Sequence, residues 1–304
     1  MDKKSMTALV SAFARGYHAK TNEVKVFDDH IIEKLLTQEE HGGMCHHMAQ
    51  GVGFFDPGFV GDAEEALKWV MDYQLSPTPI GRAAYAEDLL KNAVLTGTNQ
   101  YLLLGAGYDT FSLRQPKWAE GIEVFEVDHP LTQVDKINRI EESGLETPGN
   151  VHYVGADFNK KEWMSVLELL PAFNVKEKTY CSLLGVVYYL TEQNFENLLL
   201  VLSELLPKGS SIVFDYPDEL YFTEHAEVRV KKQLALAAAT GEQMMVGYSY
   251  RHLEQLLENA GFLIYEHLKS EDMTSRYFKT FNDKRPTSKV EAFENVNYCL
   301  AVLK

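Results

Sequence analysis

The segment YLLLGAGYDTFSLRQPKWAEGIEVFEVD, residues 101–128, constrains the fold of this chain more than any other. Tyr101 to Leu104 is apolar on both faces, as in a strand covered on both sides of a sheet. Gly105-Ala106-Gly107 then lets the backbone turn tightly and approach a ligand, because neither glycine has a Cβ to obstruct it. Ile122 to Val127 reads as a neighbouring parallel strand, and Asp128 stands at its carboxyl end, 21 residues after Gly107. Strand, glycine turn, helix, strand and acid form a crevice for a nucleoside, with the carboxylate accepting from ribose hydroxyls.

The rest of the chain continues the alternation. Strands are expected at 151–155, 179–184, 211–216, 262–267 and 296–303, and helices at 80–95, after Asp128, at 161–170, 191–206 and 250–260. Thr191 suits an N-cap and Gly261 a C′ position. Together these predict an α/β fold: a doubly wound, mostly parallel seven-stranded sheet with an antiparallel last strand and a helical cap. Before the sheet, residues 5–40 and 63–75 read as helical, 41–61 as a loop or short-helix cap, and Ser76-Pro77-Thr78-Pro79 as a helix stop. Leu131, Val134 and Ile137 mark the apolar stripe of the helix after Asp128. Residues 219–246 read as a helical insertion, and 272–293 as polar and irregular.

Composition narrows the partners. A formal charge of −15, from 29 basic and 44 acidic residues, argues against a nucleic-acid backbone as ligand. The three cysteines are far apart and form no C-x-x-C pair, so no disulfide framework or zinc site is indicated. His41, Cys45, His46 and His47 match no common zinc spacing, and no metal is expected. No apolar run reaches membrane-spanning length and the start lacks a signal-peptide core, so a cytoplasmic location without membrane contact is expected. Nothing in the pattern sets an oligomeric state.

Two further signals bear on the nucleoside. A dinucleotide fingerprint would place a third small residue three positions after Gly107, where this chain has Thr110. Asp157-Phe158 follows the third strand, where an acid can accept from an exocyclic amine beside an aromatic ring; an N-cap is the other reading of Asp157. A nicotinamide-dependent oxidoreductase accounts for Gly105, Gly107 and Asp128 but not for these two features.

The chain resembles the leucine carboxyl methyltransferase family, including bacterial S-adenosylmethionine-dependent enzymes related to polyketide carboxyl O-methyltransferases. The resemblance rests on LLLGAGYDTFSLR at 102–114, VFEVDHP at 124–130, GADF at 155–158, LLGVVYYLT at 183–191 and LPKGSSIVFDY at 206–216. Ala14-Arg15, Val26-Phe27-Asp28-Asp29, and the later AGF and SRYF at 260–262 and 275–278 extend it over nearly the whole chain. It implies one class I, Rossmann-like methyltransferase domain over 1–304, with 1–80 a helical cap segment and 219–250 an insertion over the active site. The implied cofactor is S-adenosyl-L-methionine.

By the resemblance, Arg82 grips the methionyl carboxylate, which a guanidinium can hold through two parallel hydrogen bonds. Gly105, Ala106 and Gly107 line the methionyl portion, Asp128 holds the ribose, Asp157 and Phe158 the adenine, and Arg15 matches a second basic position. Leu184 stands where many members carry an acid, so a contact made there is absent or supplied elsewhere, with Tyr188 and Tyr189 the nearest hydroxyls. Phe54, Phe55, Phe59, Tyr221 and Phe222 read either as pocket walls or as ordinary packing. The implied reaction is methylation of an oxygen on a small molecule. A carboxylate is favoured over a hydroxyl because it is already ionised and needs no base, and no His–acid pair stands out. A non-catalytic nucleoside-binding protein is the remaining alternative, motivated by Leu184.

Overall fold

The computed structural model describes residues 5–158, 163–239 and 241–304. Seven strands form one sheet: β1 (Gln100–Leu104), β2 (Glu123–Asp128), β3 (Val151–Gly155), β4 (Thr179–Leu183), β5 (Ser211–Pro217), β6 (Phe262–Leu268) and β7 (Val296–Leu303). Their spatial order is β3-β2-β1-β4-β5-β7-β6. The first five are parallel, and β7 runs antiparallel to both neighbours. β1 is central, with Leu102 opposite Phe125 of β2 and Cys181 of β4. The order reverses between β1 and β4, so their carboxyl ends open a crevice there.

The unbroken apolar run of β1 has a direct cause. Leu102 and Leu104 enter the core on one face, while Tyr101 and Leu103 enter the core on the other. The first core is covered by Glu192–Leu205 and Tyr250–Asn259, capped by Thr191 and Ser249; the second by Pro77–Leu95 and the segment before β7. A third core lies under the N-terminal helix α1 (Met6–Thr21).

Several local expectations are corrected. Residues 5–40 hold α1, then irregular chain and one 3-10 turn at Ile32–Leu35. Of the loop or short-helix cap expected at 41–61, the helical alternative holds for most of the segment: α2 (Gln38–Gln50) starts on a Thr37–Glu40 capping box, and a short turn, Val52–Phe55, follows. α3 (Ala63–Val70) and the π turn that continues it, Met71–Leu75, end at Ser76 as expected, but α4 (Pro77–Leu95) starts on the prolines rather than after them, because Pro77 and Pro79 occupy a first turn whose N–H groups need no intrahelical partner. Residues 270–283 are helical rather than irregular, anchored by buried Met273, Phe278 and Phe281.

The helix after Asp128, α5 (Pro130–Glu142), turns the expected stripe outward: Leu131 and Val134 are exposed. Its buried face is polar, with Lys136 paired to Glu126 and Arg139 to Glu40 and Asp135. Of the helix expected at 161–170, Trp163–Glu168 is present, and 161–162 lie outside the described residues. α6 (Glu192–Leu205), α7 (Val228–Ala239) and α8 (Tyr250–Asn259) complete the longer helices. No helix among the described residues is long and apolar enough to cross a membrane.

Candidate active site

The site begins at the turn after β1. Gly105 has φ +72°, and a Cβ there would collide with the Val186 side chain, so this position requires glycine. The next strand closes the turn: Gly107 N–H donates to one oxygen of Asp128, and His129 N–H donates to the other at 2.5 Å. Burial pushes the Asp128 carboxyl up, against the lowering pull of these two N–H groups. One backbone donor per oxygen leaves each with capacity to accept again.

Beside the turn, Arg82 of α4 points to the end of β4. A Cβ at Gly185, φ +69°, would collide with its guanidinium. Behind Arg82 lies Asp215 of β5, fully buried. The Asp215 carboxylate accepts from Gly185 N–H at 2.6 Å and Tyr188 Oη at 3.0 Å, and lies 3.5 Å from Arg82 Nη1. Burial is the largest influence and opposes the charge on Arg82, but Asp215 together with Tyr188, Tyr189 and Tyr298 raises the guanidinium pKa overall. Arg82 is thus a fixed cation on the cavity wall, steadied by an acid behind it.

Arg15 of α1 is committed differently. Its Nε donates to Asp29 at 2.8 Å and its Nη2 to the Tyr108 carbonyl at 2.7 Å, so it clamps the glycine turn. Asp29 also accepts from the Thr110 hydroxyl, which in turn accepts from Arg114 Nε at 2.8 Å. This buried network uses Thr110 at the position where a dinucleotide fingerprint has a small residue.

All nine residues singled out from the sequence, Arg15, Arg82, Gly105, Ala106, Gly107, Asp128, Asp157, Phe158 and Leu184, line one cavity of about 380 Å³. Phe158 is half-buried, edge-on to Trp163 with ring centroids 5.2 Å apart. Leu184 packs into the core beneath α4. Of the five aromatic wall candidates, Tyr221 lines the cavity; Phe54, Phe55, Phe59 and Phe222 do not.

The opposite wall comes from the cap: Gln74 of the π turn, Gln233 and Leu236 of α7, Met244, and Phe293 ahead of β7. Glu242 lines it too and ties it to α1, accepting from Ser5 Oγ (3.0 Å), Met6 N–H (2.6 Å), Thr7 N–H (3.3 Å) and the Thr7 hydroxyl. Among the described residues no group of three His, Cys, Asp or Glu is placed to hold a metal ion, and Cys45, His41, His46 and His47 all lie on α2.

The model of the leucine carboxyl methyltransferase family matches residues 8–202. The chain belongs to this family. It is 41% identical, over its whole length and 99% of the relative's, to YktD of Bacillus subtilis, named as an inferred S-adenosyl-L-methionine-dependent methyltransferase. A similarly named protein of Saccharopolyspora erythraea is 28% identical over 69% of this chain and 66% of its own. The fold is shared with a DUF574 family protein of Streptomyces avermitilis: TM-score 0.53, 16% identity, 85% of this chain and 97% of that one. A structure from Thermobifida fusca gives TM-score 0.53 at 15% identity, covering 84% and 94%. This member of the leucine carboxyl methyltransferase family is therefore an S-adenosyl-L-methionine-dependent methyltransferase.

Three site residues escaped the sequence reading. Asp215 had a readable signal: an acid inside the apolar run Ile212-Val213-Phe214-Asp215-Tyr216 must be paired when the strand is buried. Gln74 and Glu242 had none, because their partners lie 155 and up to 237 residues away.

Proposed function

We propose that this enzyme methylates a carboxylate oxygen of a small, largely apolar acid. The observation that supports this most directly is that, among the described residues, each carboxylate lining the cavity already holds a partner within the chain. Asp109 is engaged by Phe111 N–H, Asp128 by two backbone N–H groups, and Glu242 by the start of α1. His129 is a lining imidazole, and its Nδ1 caps α5. Burial pushes the hydroxyls of Tyr188, Tyr189 and Tyr221 up, so none is an anion at neutral pH. An acceptor that arrives ionised needs none of them.

In this reading Arg82 holds the methionyl carboxylate and the backbone of Gly105 to Gly107 lies along the methionyl chain. Asp128 accepts from the ribose hydroxyls, and Asp157 and Phe158 bound the adenine. Arg15 shapes the turn through Tyr108, and Leu184 gives an apolar contact where many relatives have an acid. Residues 1–80 and 219–250 act as the cap. Bound S-adenosylmethionine supplies a methyl group already activated on a sulfonium. The chain then has to align the acceptor oxygen with that methyl and keep water out, which the apolar side chains of the cap favour.

The test uses cofactor carrying a labelled methyl group and a library of carboxylic acids. Label that is released as methanol by mild alkali identifies an ester; label that withstands alkali identifies an ether and overturns the carboxylate reading.

A further inference from the structure

We propose that the acid methylated here carries a neutral hydrogen-bond donor, a hydroxyl or an amide N–H, remote from its carboxylate, and that Gln74 Oε1 accepts it. The inference rests on the function proposed above and names a feature of its substrate.

Gln74 is 2% exposed and lines the cavity. Its Nε2 donates to the Arg229 carbonyl at 3.0 Å. A carbonyl can face only the NH₂ end of an amide, so this bond decides which way the side chain is turned. Arg229 cannot easily yield, because its guanidinium donates to the carbonyls of Tyr73 (3.0 Å), Glu291 (3.2 Å) and Ala292 (2.9 Å) and to Glu294 (3.0 Å). Gln74 Oε1 is left buried and accepts from no described residue. Buried amide oxygens without a donor are uncommon and costly, and because Gln74 is a lining residue, what binds in the cavity can supply the donor its oxygen lacks.

The surroundings decide the kind of donor. Leu75, Leu236, Met244 and Phe293 line the same cavity and offer no charge. The acid of the cap, Glu242, is taken up by Ser5, Met6 and Thr7. An ammonium would have to displace those donors from Glu242 to be paired, whereas a hydroxyl or amide N–H needs only one acceptor. Position sets the spacing: Gln74 precedes Arg82 by eight residues on a nearly continuous helical path, about 12 Å along it at 1.5 Å per residue. The donor lies well away from the cofactor end.

The experiment measures binding, so its outcome does not depend on turnover. The protein saturated with S-adenosylhomocysteine is titrated in a calorimeter with straight-chain carboxylic acids of increasing length. Each is paired with counterparts bearing one hydroxyl or one amide N–H at successive positions. Wild type should bind at least one donor-bearing acid about 10- to 100-fold more tightly than its parent, the range expected for filling one buried acceptor. Gln74→Met should remove that preference by weakening the donor-bearing acid alone, with S-adenosylhomocysteine affinity and unfolding temperature as controls. Equal binding of every pair by wild type, no binding of any donor-bearing acid, or a preference that survives in Gln74→Met overturns the inference. The wild-type comparison stands even if the variant folds poorly. A preference with only alkali-stable methyl transfer overturns the carboxylate reading while leaving the donor site in place.

Discussion

Along the strand ends, Gly105, Asp128 and Arg82 are placed by backbone turns and by one buried carboxylate; across the cavity, Gln74, Gln233 and Glu242 are placed by side-chain contacts between distant segments. The first wall is stiff because Gly105 and Asp128 hang on the central strands of a sheet packed on both faces and Arg82 of α4 is held by Asp215 of β5. The second depends on how α1, the π turn and α7 dock on one another. One wall can therefore serve a common cofactor while the other varies with the acceptor, and substitutions should separate the two.

The largest effect is expected at the stiff wall. Asp215→Ala strands the Arg82 charge, Gly185 N–H and Tyr188 hydroxyl together, and should cost about 3–5 kcal/mol of stability, as removal of one partner of a buried pair does. Asp215→Asn, which keeps an acceptor for Gly185 N–H, should cost less. Urea unfolding of both variants measures this; a loss for Asp215→Ala below about 1 kcal/mol would show that the strand-end wall is not pinned from behind.

Next comes a pH effect on the docking of α1. Burial pushes the His18 imidazole down to about 4, and its neutral Nε2 accepts from Val26 N–H at 2.9 Å. The unfolded chain takes up this proton near pH 6.5 and the folded chain only near 4, so the contribution is full above 6.5 and is lost as pH falls toward 4. The difference amounts to roughly 3 kcal/mol. His18→Gln should flatten this part of the stability–pH curve. An unchanged slope between pH 6.5 and 4 in that variant would assign acid sensitivity elsewhere.

Asp128→Ala comes third: the proposed ribose contact of Asp128 predicts S-adenosylhomocysteine binding weakened about 100-fold through loss of its charge-assisted acceptors. Calorimetry decides it, and an affinity within threefold of wild type would remove Asp128 from the cofactor wall.

The contrast between the walls also explains what could be read from the sequence. Tyr101–Leu104, Gly105, Gly107 and Asp128 obey local rules, namely a doubly buried strand, a turn that excludes Cβ and an acid at the next strand end, and these rules act within one βαβ unit. Pro77 and Pro79 lie inside α4 rather than before it, because a proline's missing N–H costs nothing in a helix's first turn and its sequence signal is the same there as at a stop. Leu131 and Val134 give α5 an apolar period that faces outward, because the ion pairs of Lys136 and Arg139 fix that rotation of the helix. Gln74 was invisible because its chemistry lies in what its carbonyl partner forces on it, 155 residues away.

The smallest expected effect tests whether the walls are separate at all. Glu242→Ala removes the carboxylate that meets the first N–H groups of α1 and should cost about 1–2 kcal/mol, the usual range for a lost cap with an anion at a helix start. Ser5 still accepts from Ala8 N–H at 3.1 Å, so the helix frays without leaving. Ala8, in that first turn, lies over Gly107, where an added Cβ would approach its methyl to 3.3 Å. Loosening the turn should therefore weaken S-adenosylhomocysteine a few-fold as well as speed amide exchange at residues 6–9. Faster exchange with unchanged cofactor affinity would show that the cap moves independently of the strand ends. A loss as large as that of Asp128→Ala would show instead that α1 is part of the cofactor wall, and that the two sides of the cavity are one device.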